Sequence, residues 1–324
     1  MRAIIPVAGF GSRLRPHTFT IPKVLLNVAG KPIIAHILDK IIADGFDEAT
    51  IIIGHLGDKI EEYVRRHYRI DVEFVEQKEP LGLAHAISLS RESFTDDPIL
   101  IILGDTIFDV NLRPVLRQAN SAIGVKSVED PRRFGVVEVK NSRVTNLVEK
   151  PEHPVSNLAI VGLYWIRRPK VLAACIDELF TRKKTTKGEY QLTDALQLML
   201  KQGEKITTFP VEGWYDCGKP ETLLATNRHL LEINGTHGKC PGVVIIPPVH
   251  IARTAKIVNS VIGPYATVAA GAVVEDSILR DSIISEDAVV AQSMLEGSIV
   301  GVNTVVRGSF KKINIGDSSE IEYH

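Results

Sequence analysis

The sequence predicts an α/β fold in which a doubly wound mixed sheet is followed by a parallel β-helix. Three observations predict it. Short aliphatic runs alternate with amphipathic segments over the first two thirds of the chain, which is the pattern of a parallel sheet wrapped by helices. The run Ile99–Leu103 is aliphatic throughout and bounded by Pro98 and Gly104, as expected of a strand covered on both faces. Beyond residue 242, aliphatic residues recur at steps of five or six with small residues between them.

Taken in order, Ala3–Val7 reads as the first strand. Lys31–Ala43 reads as a helix: Pro32 suits its first turn, Ile33, Ile34, Ile37, Leu38, Ile41 and Ile42 recur at helical spacing, and Gly45 stops it. Ala49–Ile53 is a strand, Lys59–His67 a helix and Val72–Val75 a third strand. Gly82 opens a helix over Leu83–Ser90, and Ile99–Leu103 follows. Residues 125–165 break the alternation with strands at Gly135–Val139, Val144–Val148 and Gly162–Ile166, an antiparallel insertion over one side of a cleft. Val171–Phe180 and Leu192–Gln202 read as helices, Lys205–Phe209 as a strand and Glu221–Glu232 as a helix. The glycine-rich stretch 234–242 reads as a linker between a domain spanning 1–233 and one spanning 243–324. In the second domain Ile251, Ile257, Ile262, Val268, Val274, Leu279, Ile284, Val290, Leu295, Val300 and Val306 keep a hexapeptide rhythm, each expected to point inward.

Composition removes several function classes. A formal net charge of −1 over 324 residues gives no electrostatic reason for nucleic acid or an acidic membrane as partner, so an anion would have to be bound by local geometry. Cys175, Cys217 and Cys240 are too few and too scattered for a disulfide framework or a metal cluster, which suits a reducing compartment. The opening MRAIIPVAG is too short for a signal peptide, and no stretch approaches a membrane span. A cytoplasmic protein is expected.

The chemistry-bearing residues fall after strands. Ala8, Gly9, Gly11 and Ser12 follow the first strand, where backbone N–H groups can approach phosphate oxygens. Arg13, Arg15 and Lys23 add the charge that a triphosphate needs. Asp105 follows the buried strand, where a carboxylate could hold Mg²⁺ over the ligand crevice, although a lone aspartate there is more often a cap. Asp216 lies in Trp214-Tyr215-Asp216-Cys217-Gly218. Glu149-Lys150-Pro151 could meet a sugar phosphate or form a surface ion pair. Read alone, Gln77 is a polar residue after a strand and Gly82 a helix-start glycine. His36 and His85 read as packed or surface histidines, Glu61–Arg66 as a solvated helix face, and neither Cys217 nor His250 needs a chemical role.

These segments resemble the sugar-1-phosphate nucleotidyltransferase family, whose signature G-x-G-T-R-L-x-P-x-T and P-K-x-L-L-P-V stands here as Gly9–Thr18 and Pro22–Val28, with Ser12 for threonine and Asn27 for proline. The resemblance runs to the end of the chain and is nearest to the long glucose-1-phosphate thymidylyltransferases, with a Rossmann-like catalytic domain and a left-handed β-helix tail. It implies nucleotide binding by Ala8, Gly9, Gly11, Ser12, Arg13, Gln77 and Gly82. It further implies sugar-phosphate binding by Gly135, Glu149, Lys150 and Gly162, catalysis by Arg13, Lys23, Asp105 and Lys150, and Mg²⁺ on Asp105 and Asp216. Phe134–Glu138 and the stretch from Asn157 to Gly162 resemble further walls of the sugar pocket. The implied partners are a nucleoside triphosphate, dTTP foremost, and a sugar 1-phosphate, glucose 1-phosphate foremost. Uridylyl and guanylyl transfer are the alternatives within the family, and the tail would serve a homo-oligomer. A silent regulatory subunit should lack the arginine, lysine or aspartates, and none is missing. An added acyltransferase activity would need a longer solenoid.

Overall fold

The computed structural model describes residues 1–235 and 241–308. Residues 236–240 of the expected linker, Cys240 among them, and 309–324 of the expected β-helix domain lie outside the described residues. The chain forms two compact units: Met1–Leu26 with Lys31–Leu223, and Asn27–Gly30 with residues from Leu224 onward.

The first unit is built on a nine-stranded mixed sheet. Arg2–Pro6 lies between Glu48–Ile53 and Ile99–Ile102, parallel to both, and Asp71–Glu76 pairs with Glu48–Ile53 in the same sense. Ile99–Ile102 is buried on every residue, as its unbroken aliphatic run requires. The sheet turns mixed at Leu158–Ile166, which runs antiparallel to Ile99–Ile102, Gly135–Lys140 and Ser121–Ser127. Arg143–Glu149 closes one edge against Gly135–Lys140, and Ile206–Pro210 pairs parallel with Ser121–Ser127.

Most elements fall within two residues of their sequence-derived bounds, and the differences have local causes. The first helix is Ile33–Ala43, with Pro32 extended before it as the cap. The second starts at Gly57, because Leu56 adopts a left-handed conformation there. Leu158–Ile166 is longer than the expected Gly162–Ile166, since a bulge at Gly162 interrupts the pattern without ending the strand. Ser121–Ser127 was not expected as a strand. Its Ser-Ala-Ile-Gly-Val-Lys-Ser composition is weakly β-forming, and its first five residues are buried only because strands flank it on both sides.

The second unit contains three four-stranded parallel sheets whose strands alternate along the chain, the arrangement of a left-handed β-helix. Ile262, Val268, Val274, Leu279, Ile284 and Val290 are fully buried in its interior, with Ile251, Leu295 and Val306 packed against them. Burial of each such side chain contributes about 1.5–3 kcal/mol. The corners turn through left-handed residues in columns, Asn259, Asp276 and Gln292 in one and Gly271, Asp287 and Asn303 in another. At the first column serines stack, with Ser277 N donating to Ser260 Oγ and Ser293 N to Ser277 Oγ, both at 3.1 Å. Among the described residues no helix is long and apolar enough to cross a membrane.

Candidate active site

Strand Arg2–Pro6 delivers the chain into the loop that carries Arg13. Gly11 is left-handed, and a side chain on it would crowd Lys23 Cβ at 3.0 Å and Thr18 Cγ2 at 3.1 Å, so the loop folds directly onto the Lys23 segment. Thr18 Oγ1 donates to Gly11 O at 2.9 Å, and Leu14 N donates to the same carbonyl. Leu14 is fully buried and anchors the turn, which leaves Arg13 and Arg15 to project from it. Their fates differ from the expectation of two phosphate-facing arginines. Arg13 lines a cavity of about 530 Å³, whereas the Arg15 guanidinium lies 5.1 Å above the Phe19 ring.

Lys23 reaches Asp105 Oδ2 at 3.2 Å, its side chain only 11 % exposed. Asp105 Oδ1 also accepts from Thr106 Oγ1. Thr106–Asp109 pairs antiparallel with Gly213–Asp216, setting Asp216 opposite Thr106, and Cys217 N donates to Asp105 O at 3.0 Å. This pairing of short segments, invisible to local sequence patterns, brings the two aspartates together from positions 111 residues apart. Asp216 Oδ1 accepts from Gly218 N at 2.8 Å. A side chain at Gly218 would meet Asp216 on one side and Arg13 on the other, at 2.8 and 3.0 Å.

The Glu149–Lys150 turn forms the other wall. Lys150 is left-handed and its N–H donates to Phe134 O, which swings its ammonium into the cavity with Arg13. Glu149 is nearly buried: Thr193 Oγ1 donates to Oε2 at 2.7 Å, and Lys150 Nζ approaches Oε1 at 3.3 Å. Gly135 makes room for that pairing, since a side chain there would sit 3.0 Å from both Glu149 Oε2 and Thr193 Oγ1. Beneath these groups Tyr164 is buried, and burial foremost, then the Glu149 and Asp105 carboxylates, drives its phenol well above the usual range. Gly162 packs its backbone on Leu103, where a side chain would come within 2.8 Å. Three cations not singled out from the sequence, Arg132, Arg133 and Lys187, share the cavity with Arg13 and Lys150 against the single acid Glu152. Arg132 is clamped by Asp130, whose carboxyl it holds down at about 2. Nothing in the sequence distinguished these three from surface charge.

A second cavity of about 640 Å³ opens at the end of strands Glu48–Ile53 and Asp71–Glu76, lined by Ala8, Phe10, His55, Gln77 and Lys78 among others. Gln77 is thus brought to the same loop as Ala8. Gly82 stands behind it: its φ of +113° is left-handed territory, and a side chain there would strike Tyr190 O at 2.6 Å. Among the described residues no cluster of three His, Cys, Asp or Glu could hold a metal. Asp105 and Asp216 nevertheless provide two hard oxygen donors, as many as a magnesium ion takes from protein when phosphates supply the rest.

A cationic cavity, two aspartates on paired segments and a second cavity at the carboxyl ends of parallel strands suit an enzyme that handles phosphate esters. The chain belongs to the nucleotidyl transferase family, whose model, described as "Nucleotidyl transferase", matches residues 2–233. It is a sugar-1-phosphate nucleotidyltransferase. It is 36% identical over 242 residues to a low-salt glycan biosynthesis nucleotidyltransferase of Haloferax volcanii, covering 72% of this chain and 66% of that protein. It is 31% identical over 316 residues to a glucose-1-phosphate thymidylyltransferase of Streptomyces griseus, covering 88% of this chain and 87% of the other. A solved structure of UDP-glucose pyrophosphorylase complexed with UDP-glucose superposes with a TM-score of 0.60 at 27% identity, over 72% of this chain and 98% of that one.

Proposed function

We propose that the enzyme transfers a thymidylyl group from dTTP to glucose 1-phosphate, with Mg²⁺, and releases pyrophosphate. The observation that carries this reading is the cavity in which Arg13 and Lys150 stand among five cationic side chains, beside the Lys23–Asp105 pair. The nearly full-length similarity to a glucose-1-phosphate thymidylyltransferase supports the choice of base and sugar.

The reaction is a single in-line displacement in which a phosphate oxygen of the sugar attacks the α-phosphorus and pyrophosphate leaves. A sugar phosphate is already an anionic nucleophile, so the protein supplies position and charge. Lys150 fixes the attacking phosphate, and Glu149, held by Thr193, accepts sugar hydroxyls. Gly135 and Gly162 let the backbone wall of that pocket come close. Ala8, Gly9, Gly11 and Ser12 hold the triphosphate by their N–H groups, Gln77 and Gly82 form the base side, and Arg13 stabilises charge at the α-phosphate. Lys23 keeps one proton on Asp105 and has two more to offer the triphosphate. Asp105 and Asp216 would hold Mg²⁺, which when bound supplies electrophilic charge to the phosphates. The catalytic role belongs to residues 1–233, and the β-helix from residue 243 serves assembly of a cytoplasmic homo-oligomer, with neither nucleic acid nor membrane as partner.

The test is product formation from dTTP, UTP, CTP, GTP and ATP against glucose 1-phosphate and mannose 1-phosphate, with Mg²⁺ and with EDTA. dTTP with glucose 1-phosphate and Mg²⁺ should give the highest kcat/KM. A purine triphosphate or mannose 1-phosphate in first place would overturn the choice of substrates, and full activity in EDTA would overturn the metal. Uridylyl transfer is the second reading, favoured by the superposition on the UDP-glucose complex.

A further inference from the structure

The Gln77 side chain lines the second cavity from the end of strand Asp71–Glu76, and its amide can present either an N–H or a carbonyl edge. Two contacts decide which. Gln77 Nε2 lies 3.0 Å from His85 Nδ1 and 3.4 Å from Gly82 O. The carbonyl of Gly82 can only accept, and helix Leu83–Leu89 fixes it in place, since the same oxygen takes Ala86 N at 3.0 Å. Tyr190 N donates to Leu81 O and Ala84 N to Tyr190 O, so the start of that helix is pinned from both sides. Were the amide reversed, Gln77 Oε1 would face Gly82 O, two acceptors in contact. The amide NH₂ therefore turns inward, toward Gly82 O and toward His85 Nδ1, which is an acceptor in the tautomer that complements it. Gln77 Oε1 takes no hydrogen bond from the described residues and is the edge left for a ligand.

We propose that His85 is a positioning residue for base selection: by accepting from the Gln77 amide, it holds the carbonyl oxygen of Gln77 toward the base. A fixed acceptor selects a base with a ring N–H beside its carbonyls. The imide N3–H of thymine and uracil meets that requirement, whereas N3 of cytosine is itself an acceptor and would be repelled. This deepens the proposed reading, on which it rests, by naming what sets thymine and uracil apart from cytosine. It leaves the choice between thymine and uracil to other groups. His85 touches neither nucleotide nor sugar phosphate in this arrangement; it acts through Gln77.

The experiment measures kcat/KM for UTP, dTTP and CTP with glucose 1-phosphate in the full-length enzyme and in two variants. Thermal melting verifies that each is folded. His85→Leu keeps the bulk and removes the acceptor, while His85→Gln restores an acceptor on a flexible stem. Wild type should favour UTP and dTTP over CTP by at least ~10²-fold, as a site with a committed hydrogen-bonding edge does. His85→Leu should reduce that ratio by at least ~tenfold, because the amide is free to turn, with the KM for glucose 1-phosphate unchanged. His85→Gln should recover most of the preference, a result that loss of packing alone would not give. A folded His85→Leu enzyme with the wild-type ratio overturns the role of His85 and leaves the pyrimidine reading standing, as does a His85→Gln ratio as low as that of His85→Leu. A wild-type enzyme that prefers a purine triphosphate overturns both.

Discussion

Replacing Lys23 with methionine should separate the catalytic worth of its charge from the structural worth of its ion pair. The 3.2 Å Lys23–Asp105 contact carries a gross attraction of about 5 kcal/mol at an effective dielectric of about 20, and about 1 kcal/mol in water. Asp105 is 43 % exposed, so solvent screens most of that attraction and hydrates the carboxylate once its partner is gone. Methionine fills the nearly buried channel of the lysine stem without a charge to desolvate. The loss of stability should therefore be about 1 kcal/mol, a drop of about 2–4 °C in Tm for a unit of this size. Turnover is a different matter, because in the proposed mechanism the lost ammonium is a fixed charge on the triphosphate, and such partners are worth at least ~10²-fold. That is about 2.7 kcal/mol of barrier, well above the stability term. Continuous pyrophosphate release at saturating substrates, run beside a melting curve, reads both quantities. Near-normal turnover in Lys23→Met would refute the reasoning, and so would an activity loss that disappears at temperatures where the variant is fully folded.

Other outcomes follow from the same geometry. Asp105→Asn and Asp216→Asn should each lower turnover at least ~10²-fold and raise the Mg²⁺ concentration needed for half-maximal rate, by a metal titration of pyrophosphate release. Thr193→Val strips the 2.7 Å donor from the nearly buried Glu149, and the KM for glucose 1-phosphate should rise about tenfold with the KM for the nucleotide unmoved. Asn27→Ala breaks hydrogen bonds from Asn27 Nδ2 to Glu286 and from Gly30 N to Asn27 Oδ1, both 3.0 Å, and should cost about 1–3 kcal/mol in denaturant unfolding. Burial foremost, then Glu178, pushes the Cys175 thiol up to about 11; it stays protonated at pH 8, and iodoacetamide should label it only after unfolding.

What the sequence disclosed was what depends on neighbours along the chain. Ile99–Ile102 and the inward aliphatics from Ile257 to Val300 carry their burial in a local pattern, and they lie as that pattern requires. The loop could be placed after the first strand, and Lys150 and Asp105 after theirs, because strand ends are local too. The rest depends on pairings between remote segments. Ser121–Ser127 is a strand by virtue of its two partners, and Asp216 is set opposite Thr106, the neighbour of Asp105, only by Gly213–Asp216 pairing with Thr106–Asp109. Arg15 and Arg13 are two residues apart with the same charge, and only Phe19, folded back beneath one of them, separates their fates. His85 reads from the sequence as a packed or surface histidine, and the fold alone sets its Nδ1 3.0 Å from Gln77 Nε2.

Four residues, Asn27–Gly30, belong by their contacts to the unit that contains the β-helix, though they begin only four positions after Lys23. Ala29 N donates to Asn227 Oδ1, which also takes Thr267 Oγ1, and Asn27 is tied to Glu286. The His250 ring stands so close to Gly30 that any side chain there would collide with it. Domain boundaries drawn along the chain therefore do not coincide with boundaries drawn through space. A truncation that removes the solenoid also removes Glu286, the hydrogen-bonding partner of Asn27, and Thr267, which donates to the Asn227 that holds Ala29. Shortened versions of this enzyme should be made by excising whole coils beyond Glu286, never by cutting at the linker, if Asn27–Gly30 is to keep its partners.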